Sequence, residues 1–230
     1  MPILSENTPS MLAAAIQADF DWLADLPAAG WDHNSHYHGY LLSRLPARCG
    51  AALEIGCGTG AFARLLARRA DRVVAVDLSP EMIRVARERS RDCPNIDFRV
   101  ADVTDWAWPV GQFDCIATIA MLHHLPFAET LARMRDALKP GGVLVALDLF
   151  AAALPADFIA GIIAVPVSAA YRLLKNHRLR DPEPVRAAWA AHAPHDHYLT
   201  LVEIRRTCAE VLPGAIIHRH LLYRYSLVSR

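Results

Sequence analysis

Lysine is almost missing. Lys139 and Lys175 are the two lysines among 24 cationic side chains, and the rest are arginines. These face 24 acidic residues, so the formal net charge is +0. A neutral chain lacks the broad positive field of a protein that tracks a phosphate backbone, and nucleic acid is not an expected partner. Cysteine is sparse: Cys49, Cys57, Cys93, Cys115 and Cys208. An odd number with no Cys-x-x-Cys pair indicates neither a disulfide framework nor a cysteine zinc site. No basic segment precedes an apolar stretch near the start, so no signal peptide is expected. Long apolar runs are missing too. The most apolar stretch, Phe158 to Tyr171, is interrupted by Gly161 and Pro166 and reads as too short to span a bilayer. The expectation is a cytoplasmic protein with no stable membrane insertion. The arginine bias and heavy alanine use suggest a GC-rich bacterial genome.

What is present is a chain of 230 residues, 53% hydrophobic and 21% charged, long enough for one large domain or a domain with a cap. Residues 11–26 read as an amphipathic helix with Met11, Leu12, Ala15, Ile16, Phe20 and Leu23 on one side, broken at Pro27 to Gly30. Short apolar runs then alternate with helical segments. Ala51 to Ile55, Arg72 to Val76, Ile96 to Val100, Phe113 to Ile119 and Val143 to Leu149 read as strands. Ala61 to Ala70, Pro80 to Ser90 and Phe127 to Leu138 read as the helices between them, the second started by a capping Ser79. This alternation implies a doubly wound α/β sheet, mostly parallel, with strands apolar on both faces. Residues 155–175 and 183–192 look helical and interrupt the pattern, Thr200 to Leu212 is a further helix, and Ile216 to Leu222 and Tyr223 to Val228 alternate like two closing strands. Four segments follow: an N-terminal helical arm or cap (1–45), a core (46–150), a helical lid insertion (151–198) and a last helix with a closing strand pair (199–230).

The first strand runs into Gly56-Cys57-Gly58-Thr59-Gly60 and then a helix. Glycines there allow a tight turn and let a ligand approach the backbone, and the helix start offers free N–H groups. Asp77, at the end of the second strand, can accept hydrogen bonds from two ribose hydroxyls. A dinucleotide loop would read Gly-x-Gly-x-x-Gly, whereas Ala61 stands at the last of those places. A ligand tail without a pyrophosphate is favoured.

Leu53-Glu54-Ile55-Gly56-Cys57-Gly58-Thr59-Gly60 resembles the first motif of class I S-adenosylmethionine-dependent methyltransferases. Val76-Asp77-Leu78-Ser79-Pro80-Glu81-Met82, Ala101-Asp102-Val103, Phe113-Asp114, Met121-Leu122-His123-His124-Leu125 and Leu138-Lys139-Pro140-Gly141-Gly142 resemble its later motifs, in order. The resemblance covers about residues 50–150. It implies a Rossmann-like methyltransferase fold of seven strands and S-adenosylmethionine as cofactor. By the same resemblance, Gly56, Gly58 and Gly60 lie along the methionine part, with Glu54 bracing the loop. Asp77 takes the ribose, Leu78 and Met82 the adenine faces, and Asp102 with Val103 the adenine amine. Ile119 and Ala120 pass near the sulfonium. Leu78 and Met82 could equally be core, and Asp102 could cap a strand end.

Methyl transfer needs a base only when the acceptor carries a proton on the attacking atom. Histidines gather at His33, His36 and His38, at His123 and His124, and at His192, His195 and His197. His36 and His124 are the candidate catalytic bases, and Tyr37 and His38 are placed against the methionine end of the cofactor. Each cluster could instead be structural. His195-x-His197 could chelate, but no metal is expected. The loop after the fourth strand lacks the motifs of base-modifying and arginine methyltransferases, which leaves a small-molecule acceptor, with O-methylation ahead of N or C. The apolar insertion fits a hydrophobic acceptor or an ordinary buried lid. The alternatives are a nicotinamide-dependent oxidoreductase and a cofactor-binding partner subunit that has lost catalysis.

Overall fold

The computed structural model describes residues 9–26 and 30–230. The expected break from Pro27 falls on 27–29, outside the described residues. Seven strands form one sheet in the order β3-β2-β1-β4-β5-β7-β6. They are β1 (Cys49–Ile55), β2 (Ala70–Asp77), β3 (Ile96–Val100), β4 (Phe113–Ile119), β5 (Leu138–Leu149), β6 (Ile216–Arg219) and β7 (Arg224–Ser229). β1 to β5 pair in parallel, and β7 runs antiparallel to both β5 and β6. Consecutive residues feed opposite faces. Val73 and Val145 pack with Leu41, Phe62 and Ile83, while Val74 and Leu144 pack with Leu131, Met134 and Tyr225. A parallel sheet covered on both faces demands these unbroken apolar runs.

The helices are α1 (Pro9–Ala24), α2 (His38–Arg44), α3 (Ala61–Ala67), α4 (Pro80–Arg89), α5 (Phe127–Ala137), α6 (Pro155–Asn176), α7 (Glu183–His192) and α8 (Leu201–Val211). The Ser79 hydroxyl accepts from Met82 N at 3.0 Å, so α4 starts at the cap the sequence marks. Thr200 and Glu203 form a reciprocal cap on α8.

Four expectations are corrected. The Lys139-Pro140-Gly141-Gly142 segment, expected to separate the helix ending at Leu138 from the strand starting at Val143, lies within β5. Phe113 pairs with Leu138 and Cys115 with Val143, so the segment is a bulge inside the strand. The closing strands are shorter than their alternation suggests, because Leu222 and Tyr223 both take positive φ, 65° and 56°, and turn the chain between them. Met11 is exposed, and α1 buries Ile16 and Ala24. Finally, α6 runs through Gly161 and Pro166 without a break, so Asp157–Asn176 is long and apolar enough to cross a membrane by length and composition. Much of its apolar surface, including Phe158, Ile159, Ile162 and Leu174, is exposed.

The insertion leaves and rejoins the core at adjacent points. Ala151 N donates to Leu199 O at 2.9 Å, and Ala151 bridges Thr200. Its far side is tied to the N-terminal arm. Trp31 N donates to Asn176 Oδ1 and Asn176 Nδ2 returns to Trp31 O, both at 2.7 Å. The Trp31 ring stacks on Tyr171 at 5.2 Å. α1 packs against both α4 and α7, so one helix spans core and insertion.

Candidate functional site

The site is built from the carboxyl ends of the parallel strands, where each strand hands its last residues to a loop. Gly58 N donates to Asp77 Oδ2 at 2.7 Å, and Ser79 N to Asp77 Oδ1 at 3.0 Å. The carboxylate therefore braces the glycine loop and the α4 cap together. Burial pushes the Asp77 carboxyl up from its usual range, against the pull of these N–H groups. Each of its oxygens keeps acceptor capacity for a ribose hydroxyl.

The glycines divide their work. A Cβ on Gly60, at φ +74°, would stand 2.9 Å from Phe98 Cζ, so this position is closed by packing. A Cβ on Gly58, at φ +49°, would meet no described residue beyond its chain neighbours within 4 Å. The open side of Gly58 is where a ligand can lie against the backbone. Glu54 is buried, its Oε2 has no hydrogen-bond partner among the described residues, and burial raises its carboxyl well above the usual range. An open glycine face, a ribose acceptor and an unpartnered buried carboxylate oxygen together fit S-adenosylmethionine, whose amino group and ribose supply donors.

The other cofactor candidates fall out unevenly. Asp102 Oδ1 accepts from Thr104 N and Oγ1 at 2.9 and 2.6 Å, the local cap weighed as its alternative. Val103 is in the core. Met82 is buried against Ala24 and Val85, while Leu78 stays half-buried. Ile119 and Ala120 are half-buried at the end of β4, and Ala120 N donates to Leu147 O at 2.7 Å. Met121 crosses to Gly56, where an added Cβ would sit 2.6 Å from its Cγ.

The arm splits in two. The Tyr37 hydroxyl donates to Leu221 O at 2.7 Å in the β6–β7 turn, so it is engaged by the terminal hairpin. His38 meets the edge of Phe62 in α3 at 5.1 Å, beside the glycine loop. His36 lies among Trp31, Tyr37 and Tyr171, and its Nδ1 accepts from Trp31 Nε1 at 3.3 Å.

The histidines after β4 and those ending the insertion come together. His123 Nδ1 and Asp148 Oδ1 are 2.6 Å apart, and His123 Nε2 faces Asp196 Oδ1 at 3.5 Å. His124 Nδ1 lies 3.7 Å from the same oxygen, and its Nε2 lies 3.4 Å from His192 Nε2. Asp19 Oδ2 in α1 holds the Nδ1 of both His192 and His195 at 2.9 Å. His195 and His197 do not form the pair their spacing suggests, since His197 turns to the cavity beside His123. Burial lowers the His123 pKa, but the carboxylates of Asp148 and Asp196 outweigh it and raise it to about 9. His124 is lowered to about 4, by burial and then by His123. Phe20 of α1 covers the cluster, edge-on to His192 at 4.9 Å.

Sequence reasoning missed Asp148, Asp19 and Arg224. Asp148 could have been marked as an acid near the end of a strand, as Asp77 was. Arg224 is buried and donates to Asn34 Oδ1 at 2.9 Å, a contact across 190 positions that no local pattern signals.

A family profile described as a methyltransferase domain matches residues 52–142. An uncharacterized methyltransferase of Mycobacterium tuberculosis is 32% identical over 202 residues, covering 86% of this chain and 95% of that protein. A ubiquinone biosynthesis O-methyltransferase of Xanthomonas axonopodis pv. citri is 30% identical over 205 residues, covering 83% and 85%. Among solved structures, the complex of DhpI with SAH superposes with a TM-score of 0.60 at 20% identity, over 95% of this chain and 96% of that one. The nicotinamide and inactive-subunit readings give way to an enzyme that uses S-adenosylmethionine. The chain belongs to the class I S-adenosylmethionine-dependent methyltransferases.

Proposed function

We propose that the enzyme methylates an oxygen of a small organic acceptor, received between the glycine loop and the insertion. The observation that carries this reading is the meeting of the β4 loop histidines with Asp196 and His192 of the insertion, at the strand ends that also hold Asp77. An attacking hydroxyl needs a polar group at its side of the cleft, and this cluster supplies it. The ubiquinone-pathway relative at 30% identity, itself an O-methyltransferase by name, supports the same atom choice. The exposed apolar residues of α6 favour a hydrophobic acceptor.

Asp77 holds the ribose, Gly58 lies along the methionine part and Glu54 faces its amino end. S-adenosylmethionine supplies an electrophilic methyl group and a neutral thioether leaving group. This chain's part is to align the acceptor oxygen with that methyl carbon, to exclude water, and to receive the hydroxyl proton on the His123–His124 side. Of the two candidate bases, we assign His124 to the acceptor and His36 to the joint between arm and insertion.

The test is to incubate the enzyme with methyl-labelled S-adenosylmethionine and a bacterial metabolite extract, then locate the label by mass spectrometry and NMR. A labelled methoxy carbon in an extractable small molecule is expected. Label on protein, on nucleic acid, or on nitrogen or carbon overturns the assignment.

A further inference from the structure

The β4-loop histidines and the insertion's acid are arranged for more than mutual contact. A ring that binds a cation must be neutral, and the contacts then say where its one proton sits. His123 Nδ1 sits 2.6 Å from Asp148 Oδ1 and keeps its proton there, so on giving up the second proton it offers Nε2 as a lone pair. His192 Nδ1 sits 2.9 Å from Asp19 Oδ2 and donates in turn, so its Nε2 accepts from His124 Nε2 at 3.4 Å. His124 Nδ1 is then a lone pair as well. Asp196 Oδ2 accepts from the Tyr198 hydroxyl, while Oδ1 faces His192 Nε2 at 3.3 Å as well as the two β4-loop rings.

Three lone pairs thus converge. Asp196 Oδ1 stands 3.5 Å from His123 Nε2 and 3.7 Å from His124 Nδ1, and the three atoms lie within 4.8 Å of one another. Both His124 Nδ1 and Asp196 Oδ1 are buried with no hydrogen-bond partner among the described residues. The side chains of His123 and His124 are 7% and 6% exposed. Facing acceptors without a donor are costly when water is excluded. A proton on His123 Nε2 would serve Asp196 but leave His124 Nδ1 with nothing. A cation serves all three.

We propose that His123 Nε2, His124 Nδ1 and Asp196 Oδ1 bind a divalent ion of the zinc class, which fastens the insertion to the β4 loop. Donors about 2.0–2.1 Å from a tetrahedral ion stand roughly 3.4 Å from each other, close to the two separations found here. The outer contacts have the form such sites need, since ligating imidazoles are held by a carboxylate or another acceptor on their far nitrogen. Asp148 does this for His123, and His192, itself anchored on Asp19, does it for His124. Two imidazoles and one carboxylate suit zinc, and also manganese, iron or cobalt, above magnesium or calcium. The ring nitrogens around Asp19 are at hydrogen-bond distance, 2.9 Å, so Asp19 is a support and not a second ion site. The ion bridges two segments far apart in the chain, and with it bound His124 serves as a ligand in place of a free base.

The full-length chain is stripped with EDTA, dialysed, and titrated with zinc chloride by calorimetry, with metal content read by plasma mass spectrometry. About one zinc per chain is expected, with a raised melting temperature, and no saturable binding of magnesium. Asp196→Asn keeps the side chain's shape and should weaken zinc roughly tenfold or more, whereas His195→Asn, outside the ligand set, should bind zinc as the wild type does. S-adenosylhomocysteine binding by the same samples confirms that each variant is folded. A wild type that binds the nucleoside but takes up neither zinc nor manganese overturns the proposal. So does a folded Asp196→Asn protein with wild-type zinc affinity.

Discussion

Asp148, one residue before the end of β5, holds His123 of the neighbouring β4 loop by a 2.6 Å contact to Nδ1, and this turns Nε2 toward Asp196 of the insertion. A second oxygen of Asp148 accepts from His123 N at 3.1 Å, so ring and backbone are fixed together. The sheet thereby dictates where the insertion's acid is met.

Replacing Asp148 by Asn keeps the shape but removes the charge that orients the imidazole. Zinc affinity of the Asp148→Asn enzyme should fall about 10–100-fold, with nucleoside binding nearly unchanged. Equal loss of both, measured on one preparation, would make Asp148 a general stability residue.

Gly58 and Gly60 should fail in different ways. Gly60→Ala places a methyl group against Phe98 and Ala86 and should lower the melting temperature. Gly58→Ala meets no described residue beyond its chain neighbours and should fold with only the cost of positive φ, about 1–2 kcal/mol, yet lose measurable S-adenosylhomocysteine binding. Thermal melts with calorimetry on both variants separate packing from ligand contact.

His33 gives the fold a pH dependence. Its Nε2 lies 2.7 Å from Ser168 Oγ of α6, and burial, then Arg224 and Arg172, lower its pKa from 6.5 to about 4 against the opposing pull of Asp32 and Asp181. The unfolded chain therefore binds this proton more readily than the folded one. Stability from His33 is complete above pH 6.5 and is lost as pH falls toward 4. His33→Gln should flatten the fall in melting temperature over that window. A slope equal to the wild type's would assign the acid lability to other groups.

The two histidines proposed as bases should separate kinetically. His124→Ala should lower kcat for a hydroxyl acceptor roughly 10²-fold or more, whether its ring takes the proton or holds an ion, and zinc titration distinguishes the two. His36→Ala removes the acceptor of Trp31 Nε1 and loosens the stack on Tyr171, so melting temperature should drop while kcat stays near normal. A large kcat loss in His36→Ala with an unchanged melting temperature would reverse the assignment.

The core was legible because its signals are local. Strand, glycine loop and helix occupy consecutive residues from Cys49 to Ala67, and Ser79-Pro80-Glu81 carries its cap in its own side chains. The histidine cluster was not legible as a unit. His124 and His192 stand 68 positions apart and meet only through the fold of the insertion, which no periodicity specifies. The turn at Leu222 and Tyr223 carries no Gly or Asn to mark its positive φ. Pro166 signals a helix end, yet α6 continues past it, because one lost backbone bond in a long helix is a local penalty that the remaining turns outweigh.

The most direct test of the account is calorimetric titration of S-adenosylhomocysteine into the wild type and Asp77→Ala. The whole site is oriented by the claim that Asp77, while bracing Gly58 and Ser79, also receives the cofactor's ribose. Loss of those hydrogen bonds should weaken binding by about 1–3 kcal/mol, roughly 5- to 150-fold in Kd. An unchanged Kd in a folded Asp77→Ala protein would contradict it.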